Sequence, residues 1–488
     1  MTVPPEPFMN AAAHPVILLE FNELTPWLMD RFIAEGHLPN FRRLREQSLV
    51  GVSDAKADGE WLNPWVQWVT IHSGRDHRDH GIFRLSDAPR METPAVWDLL
   101  SDAGLPVWVC GSMNAWYSVP LNGHVLPDPW CQNVLPWPRG EFDHFYRFVQ
   151  ANVQEHANVR APLEISDIVA FLRYMVGHGL SLSTARGILR QLVAERLGNQ
   201  RWKRASAMDA LQYDVFARYY RRHRPAFSTF FLNSTAFYQH RFWRNMVPEE
   251  FQIKPSAGDQ RDYRHAIRYG YETMDRLVGR FLRLAPDATI MLISGLGQQS
   301  YSDMDIAGGK RVYRLQGGDV LSDLLGVTGT FRYEPIMADE FFLRFESEAD
   351  ARACADRLAG FRLPSGHEAF DARVQGRDVI GQCRCRELMG QDARLAHPDT
   401  GGTVPFHEVF YRVDCIKSGH HHPEGILWVR LPSRQHAVIE EPVDLTAIAP
   451  TVLELLGVDR PEFMTGRSFL AGNDGRRGAE AELAAAVP

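Results

Sequence analysis

The sequence predicts an α/β protein, a mostly parallel sheet with helices on both faces. Two observations carry this. Short apolar runs alternate with amphipathic helical stretches along most of the chain, as in a buried parallel sheet crossed over by helices. The helical stretches also end at Gly or Pro, which separates each one from the next strand. A length of 488 residues, with 45% hydrophobic and 23% charged residues, fits one large globular domain with insertions or two to three ordinary domains.

Each element follows in order. "PVILLE" (15–20) is a short apolar run after a proline and reads as a buried strand. "TPWLMDRFIAEGHLPNFRRLREQ" has helical spacing with a break at Gly36. "AVWDLLSDAG" is a helix closed by glycine, and "LPVWVCG" is the next strand. "DVFARYYRRHRP" is a helix stopped by Pro225, and "AFSTFFLNS" is a strand. "AIRYGYETMDRLVGRFLRL" is a long amphipathic helix before the strand "ATIMLISG". "GILWVRL" and "LTAIAPTVLELLGV" supply a strand and a last helix. Two stretches break the alternation. Residues 140–225 are helical, and 330–400 read strand, helix, strand. Both are expected as insertions in one domain spanning 14–470, with 471–488 a small, polar, disordered tail.

The net charge of −7 argues against a nucleic-acid surface. "HPVILLEFNEL" is too short to span a bilayer and lacks signal-peptide flanks. The six cysteines make no disulfide framework, and Cys383-x-Cys385 alone is a weak zinc signal. A cytoplasmic protein with reduced thiols, no membrane span and a small-molecule partner is expected.

Six segments, in order, resemble the alkaline phosphatase superfamily, most closely its type I phosphodiesterase/nucleotide pyrophosphatase branch. They are "LPNFRRL" (38–44), "WVTIHSGRDHRDHGIF" (68–83), "AVWDLLSDAGLPVWVCG", "YQHRFWR" (238–244), "HHPEGILWV" and "IAPTVLELLGVDRPEFMTGRSF". The resemblance implies an alkaline phosphatase-like fold and phosphoryl or sulfuryl transfer. In that chemistry two zinc-like ions, held by carboxylates and imidazoles, flank a Thr or Ser nucleophile.

Position by position, the resemblance implies a depleted site. Asn22 stands where the first strand should end in an Asp ligand. The nucleophile position, ten residues before Gly74, is Pro64, or Asn63 if the register slips by one. Gly295 and Leu296 replace an Asp-His pair, and Ala236 replaces an Asp. His240 and His421 remain as ligands for one divalent, zinc-like ion. Candidates for a third are Glu20, Glu23, His420 and His422. The alternative is that the two histidines are relics without a metal, and that His420 and His422 are solvated loop residues.

Other polar residues leave the strands at the same rim, where open α/β sheets bind ligands. Glu20, Asn22 and Glu23 leave the first strand, and Gln298 and Gln299 leave the strand after the long helix. Glu23 or Glu20 is a candidate general base, with Asn22 and Asn63 beside it. Glu23 is equally placed to favour the N-terminus of the helix beginning near Thr25-Pro26. Gln298, Gln299, Trp65 and Arg75 are candidate substrate contacts, the indole by stacking and the guanidinium by forked bonds to an anion. Loop solvation, core packing and surface ion pairs are the plainer roles for these four. The expected function is hydrolysis or group transfer on a phosphate- or sulfate-bearing metabolite, a sugar or nucleotide derivative, without the usual Thr nucleophile. A catalytically inactive binding or scaffold protein on the same fold is the alternative.

Overall fold

The computed structural model describes residues 14–470 apart from 86, 132–133, 158–163, 304–309, 336–339 and 399–400. The stretch 471–488, expected as a tail, lies outside the described residues. Ten strands and eight helices position the site. The strands are β1 (Val16–Phe21), β2 (Leu49–Asp54), β3 (Val107–Cys110), β4 (Gly123–Leu126), β5 (Phe227–Leu232), β6 (Thr289–Ile293), β7 (Gly297–Ser300), β8 (Gly419–His422), β9 (Glu424–Arg430) and β10 (Ala437–Val438). The helices are α1 (Pro26–Ala34), α2 (Pro64–Ser73), α3 (Ile165–Gly177), α4 (Leu182–Leu197), α5 (Ala205–His223), α6 (Ser234–Met246), α7 (Ala266–Leu284) and α8 (Ile448–Leu455).

The central sheet runs β10-β2-β9-β6-β1-β5-β3-β4. β1 pairs in parallel with β5 and β6, and β5 with β3. β9 alone runs antiparallel to its two neighbours, β2 and β6. This is the α/β class the alternation predicts. Every residue of β1 is buried, because helices cover both faces. Ile17, Leu19 and Phe21 join one core with α1, α5, α6 and α7. Val16 and Leu18 join the other with α2 and α8. Full burial of each such side chain contributes about 1.5–3 kcal/mol.

The register fixes the site. Glu20 lies opposite Phe231 of β5 and Ile293 of β6. The three strands therefore end at one level, and Asn22, Asn233 and Ser294 all emerge at the same rim.

The helical stretch 140–225 contains Asp143–Ala157, α3, α4 and α5. The second insertion is wider than 330–400. Its core runs from Tyr313 to Phe410, and Lys310–Leu315 pairs with Phe410–Lys417 across its base. The stretch read as one strand, "EAFDARVQGRDVIGQ", is a hairpin of Phe370–Gln375 and Asp378–Cys383. Gly376 at φ +61 makes the turn, since only glycine takes that conformation without cost. Cys383 and Cys385 are buried in this core. The Cys385 thiol donates to the Glu387 carbonyl, and burial pushes its pKa up to about 11.

Asp209 of α5 is buried and accepts the Ser234 hydroxyl. Burial raises its pKa to about 7, against the opposing hydrogen bond. A carboxyl with a raised folded pKa contributes stability that is whole below its unfolded pKa and is lost as pH rises through the folded one. Urea midpoints are therefore expected to fall between about pH 4 and pH 7. Asp209→Asn removes that share of the slope and is more stable than wild type above it. An unchanged slope in the variant would show that Asp209 stays ionised.

Candidate metal centre

Glu23 leaves β1 in a left-handed conformation, φ +61. For a residue with a side chain this costs about 1–3 kcal/mol and is characteristic of functional sites. Its carboxylate is buried and faces two imidazoles. Nε2 of His240, on α6, lies 3.0 Å from Glu23 Oε2. Nε2 of His421, on β8, lies 3.6 Å from Glu23 Oε1. The ring centroids of the two histidines are 5.2 Å apart. Ligand atoms of the three residues all lie within 4.8 Å of one another, the one such group of three among the described residues.

Both rings are held from behind. His240 Nδ1 donates to the Gly419 carbonyl at 3.1 Å, and His421 Nδ1 donates to the Leu62 carbonyl at 2.8 Å. A carbonyl only accepts, so Nδ1 carries the proton in each ring. In the neutral rings both Nε2 lone pairs then point at the carboxylate. Metal-bound histidines are oriented in this way. The carboxylate is also fixed. Asn22 Nδ2 donates to Oε1 at 3.0 Å, and Gln298 Nε2 donates to Oε2. Trp68 Nε1 holds Asn22 Oδ1 at 2.9 Å, and Asn22 Nδ2 also reaches Asn233 Oδ1 at 2.8 Å.

Burial acts to raise the Glu23 pKa, but the imidazoles of His240 and His421 together hold it well below the usual carboxylate range. Burial lowers the His240 pKa, against the pull of Glu23. The two directions oppose each other, because a neutral His240 does little to depress Glu23. We take the carboxylate as ionised, since Asn22 and Gln298 donate to it whatever the histidines carry. An ionised carboxylate whose two oxygens each face an imidazole lone pair needs a cation between them. A proton serves the 3.0 Å contact, but 3.6 Å is too long for a hydrogen bond. Ligands of a tetrahedral zinc-like ion stand about 3.4 Å apart, so both separations suit a shared ion. The donor set fits a single divalent metal.

The tri-histidine run is a strand, not a loop. β8 pairs with β7, setting His421 opposite Gln298 and His420 opposite Gln299. Alternation turns His421 inward and leaves His420 exposed. Gly419 is required here, since a Cβ would meet the Gln239 carbonyl and Gln298 Oε1 at 2.4 Å each.

The other candidates are distributed as follows. Gln298 is buried against Glu23, so it is no solvated loop residue. Gln299 is exposed and donates to the His421 carbonyl at 3.1 Å. Asn63 is the N-cap of α2 and directly follows Leu62, which holds His421. Glu20 is not part of the cluster: it is buried on the other face of β1, 2.8 Å from His72 Nε2. Trp65 donates its indole N–H to the Phe83 carbonyl. Arg75 follows the C-terminal end of α2, about 15 Å along the helix from Asn63, and donates to the Asp79 carbonyl. Gly295 is packed by Gln67 and Ile71, and Leu296 is fully buried among apolar residues. Thr70 accepts from His80 Nε2 at 3.1 Å. Since His80 Nδ1 accepts from the Ile82 N–H, this ring offers Thr70 a proton and no base.

Sequence reasoning missed Gln239, which donates to the Glu23 carbonyl at 2.6 Å and accepts from Tyr271. It also missed the Leu62 and Gly419 carbonyls. Gln239 adjoins His240 in "YQHRFWR", the one available signal; the carbonyls leave none.

No family model matches the chain, and no curated protein matches it. Solved structures do. A phosphonoacetate hydrolase from Sinorhizobium meliloti 1021, in complex with phosphonoformate, is 12% identical, covering 92% of this chain and 96% of that one, at a TM-score of 0.40. Murine ectonucleotide pyrophosphatase/phosphodiesterase 5 is 10% identical, covering 94% and 99%, at 0.43. A mutant of the alkaline phosphatase PafA is 12% identical, covering 95% and 99%, at 0.44. The likeness is one of chain course and assigns no side chain a role.

Proposed function

We propose that Glu23, His240 and His421 hold one divalent, zinc-like ion, and that the cleft beside them takes a small anionic substrate. The reaction is hydrolysis or group transfer on a phosphate- or sulfate-bearing metabolite of sugar or nucleotide type. One observation carries this reading: two imidazoles, their Nδ1 protons fixed on carbonyls, aim both Nε2 lone pairs at an ionised carboxylate.

A bound ion would polarise a substrate oxygen as a Lewis acid, and three protein ligands leave a position open for it. The chain's own groups do the rest. Glu23 supplies the anionic ligand, while Asn22 and Gln298 keep its two oxygens apart and directed. Asn63 and Pro64 start α2 beside Leu62, so the positive end of that helix favours an anion there. Neither residue is a nucleophile, so attack comes directly from water or an acceptor. The buried thiols of Cys110, Cys354 and Cys385 support a reducing, cytoplasmic setting.

A second reading, binding without turnover, is favoured by the apolar packing around Gly295 and Leu296. A second ion would find no ligand there. The test is a panel of phosphate and sulfate esters offered to metal-loaded and chelator-stripped protein. Turnover that needs the ion supports the enzyme. Ion-dependent binding of the same esters without turnover would overturn it in favour of the binder.

A further inference from the structure

Two consecutive helices of the 140–225 insertion leave an apolar face uncovered. On α3, Ile165, Ile168, Val169, Leu172 and Val176 are exposed, with Ile165 at 81% and Val176 at 75%. Their spacing puts all five on one stripe. Phe171, Tyr174 and Met175 on the opposite side are buried, so α3 is apolar on both faces. On α4, Leu182, Leu189, Leu192, Val193 and Leu197 are exposed, with Leu197 at 84%. Scattered apolar residues need no explanation, but two consecutive helices that each expose such a stripe do.

Charge says what covers them. Arg186, Arg190 and Arg196 lie among the exposed apolar residues of α4, and Arg173 flanks the stripe of α3. None of these four forms an ion pair with a described residue. Of the three carboxylates in 164–204, Glu195 faces inward and pairs with Arg204, Asp167 pairs with Arg147, and Glu164 is exposed at the start of α3, where it accepts from Ser166. Residues 164–204 carry seven Lys or Arg against three Asp or Glu, in a chain of net charge −7. A second copy seated on this face would bring its own arginines against these. An anionic lipid surface takes both features at once, the apolar stripe between its headgroups and the arginines on its phosphates.

We propose that the exposed faces of α3 and α4 dock the protein on an anionic membrane surface, as a peripheral contact. No helix of the described residues is long and apolar enough to cross a membrane. None of the exposed residues of α3 and α4 belongs to the centre built on Glu23.

The test is co-sedimentation of the full chain with phosphatidylcholine vesicles, with and without phosphatidylglycerol. Binding is expected only to the anionic vesicles and is expected to weaken with salt. The double variant Val176→Glu, Leu189→Glu loses binding by more than about tenfold. Each of Arg186→Gln, Arg190→Gln and Arg196→Gln lowers partitioning about fivefold. The arginine variants keep the apolar face and so read the charge contribution even if the Glu variant folds poorly. Failure of wild type to bind the anionic vesicles, or equal binding to pure phosphatidylcholine, overturns the proposal. So does a dimer by light scattering that the Glu variant splits, which would make the face a contact between copies.

Discussion

Glu23→Gln is expected to abolish ion-dependent ester turnover while the chain remains folded. Gln is nearly isosteric, and its one amide oxygen can still accept from Asn22 or from Gln298, but it carries no charge for the ion. Loss of an orienting outer group alone typically costs 10–100-fold in metal affinity, and loss of the anionic ligand costs more than about a hundredfold. Stability should change little in the metal-free protein, because the variant also removes a buried charge. A plainer role for Glu23, favouring the N-terminus of α1, predicts a loss of about 0.3–1 kcal/mol with function kept. The structure speaks against that role. The Thr25 N–H is bonded to the Tyr271 hydroxyl, and both Glu23 oxygens are turned toward the histidines, Asn22 and Gln298. Full turnover by the variant with a slightly lower melting temperature would restore the capping role and remove the catalytic one.

The second large effect concerns the reaction course. Generic aryl phosphate monoesters and diesters are expected to turn over slower by several orders of magnitude than in enzymes with an activated nucleophile, and no phosphoryl-enzyme is expected to accumulate. The amide of Asn63 and the ring of Pro64 cannot carry a phosphoryl group. Thr70 lies within α2, one turn and more from its start, and receives its hydrogen bond from a ring with no basic nitrogen to spare. His80, whose pKa burial lowers to about 3, cannot lend it a charge either. Intact mass after an acid quench checks this. A phosphorylated peptide containing Thr70 or Ser73 would show that a hydroxyl of α2 is the nucleophile.

Much of the fold was legible because β1, β5 and β6 are apolar on both faces and are separated by helices ending at Gly or Pro. Buried parallel strands leave that trace whatever their neighbours. The hairpin turn at Gly376 was missed because "VQGRDV" keeps a strand-like pattern across the turn. At the site, His240 and His421 were named through the resemblance, while the choice of Glu23 over Glu20 came from geometry. Both carboxylates leave the same strand region, but a left-handed backbone at Glu23 turns one into the cleft and alternation sends the other to His72. The placement of the His run could not be read, since β8 is defined by pairing with β7 more than a hundred residues away. Arg75 and Trp65 are close to Asn63 in sequence, yet α2 carries Arg75 to its far end and Trp65 is engaged by Phe83. Sequence proximity along a helix is not proximity at its tip.

The most direct measurement is the metal content of the untagged protein, purified without metal-affinity resin, by elemental analysis after exhaustive dialysis. One divalent ion per chain is expected in the wild type, and far less than one in Glu23→Gln, His240→Ala and His421→Ala alike. A metal-free wild type that also fails to bind added zinc would contradict the account, leaving a protonated histidine pair on Glu23 in place of a metal centre.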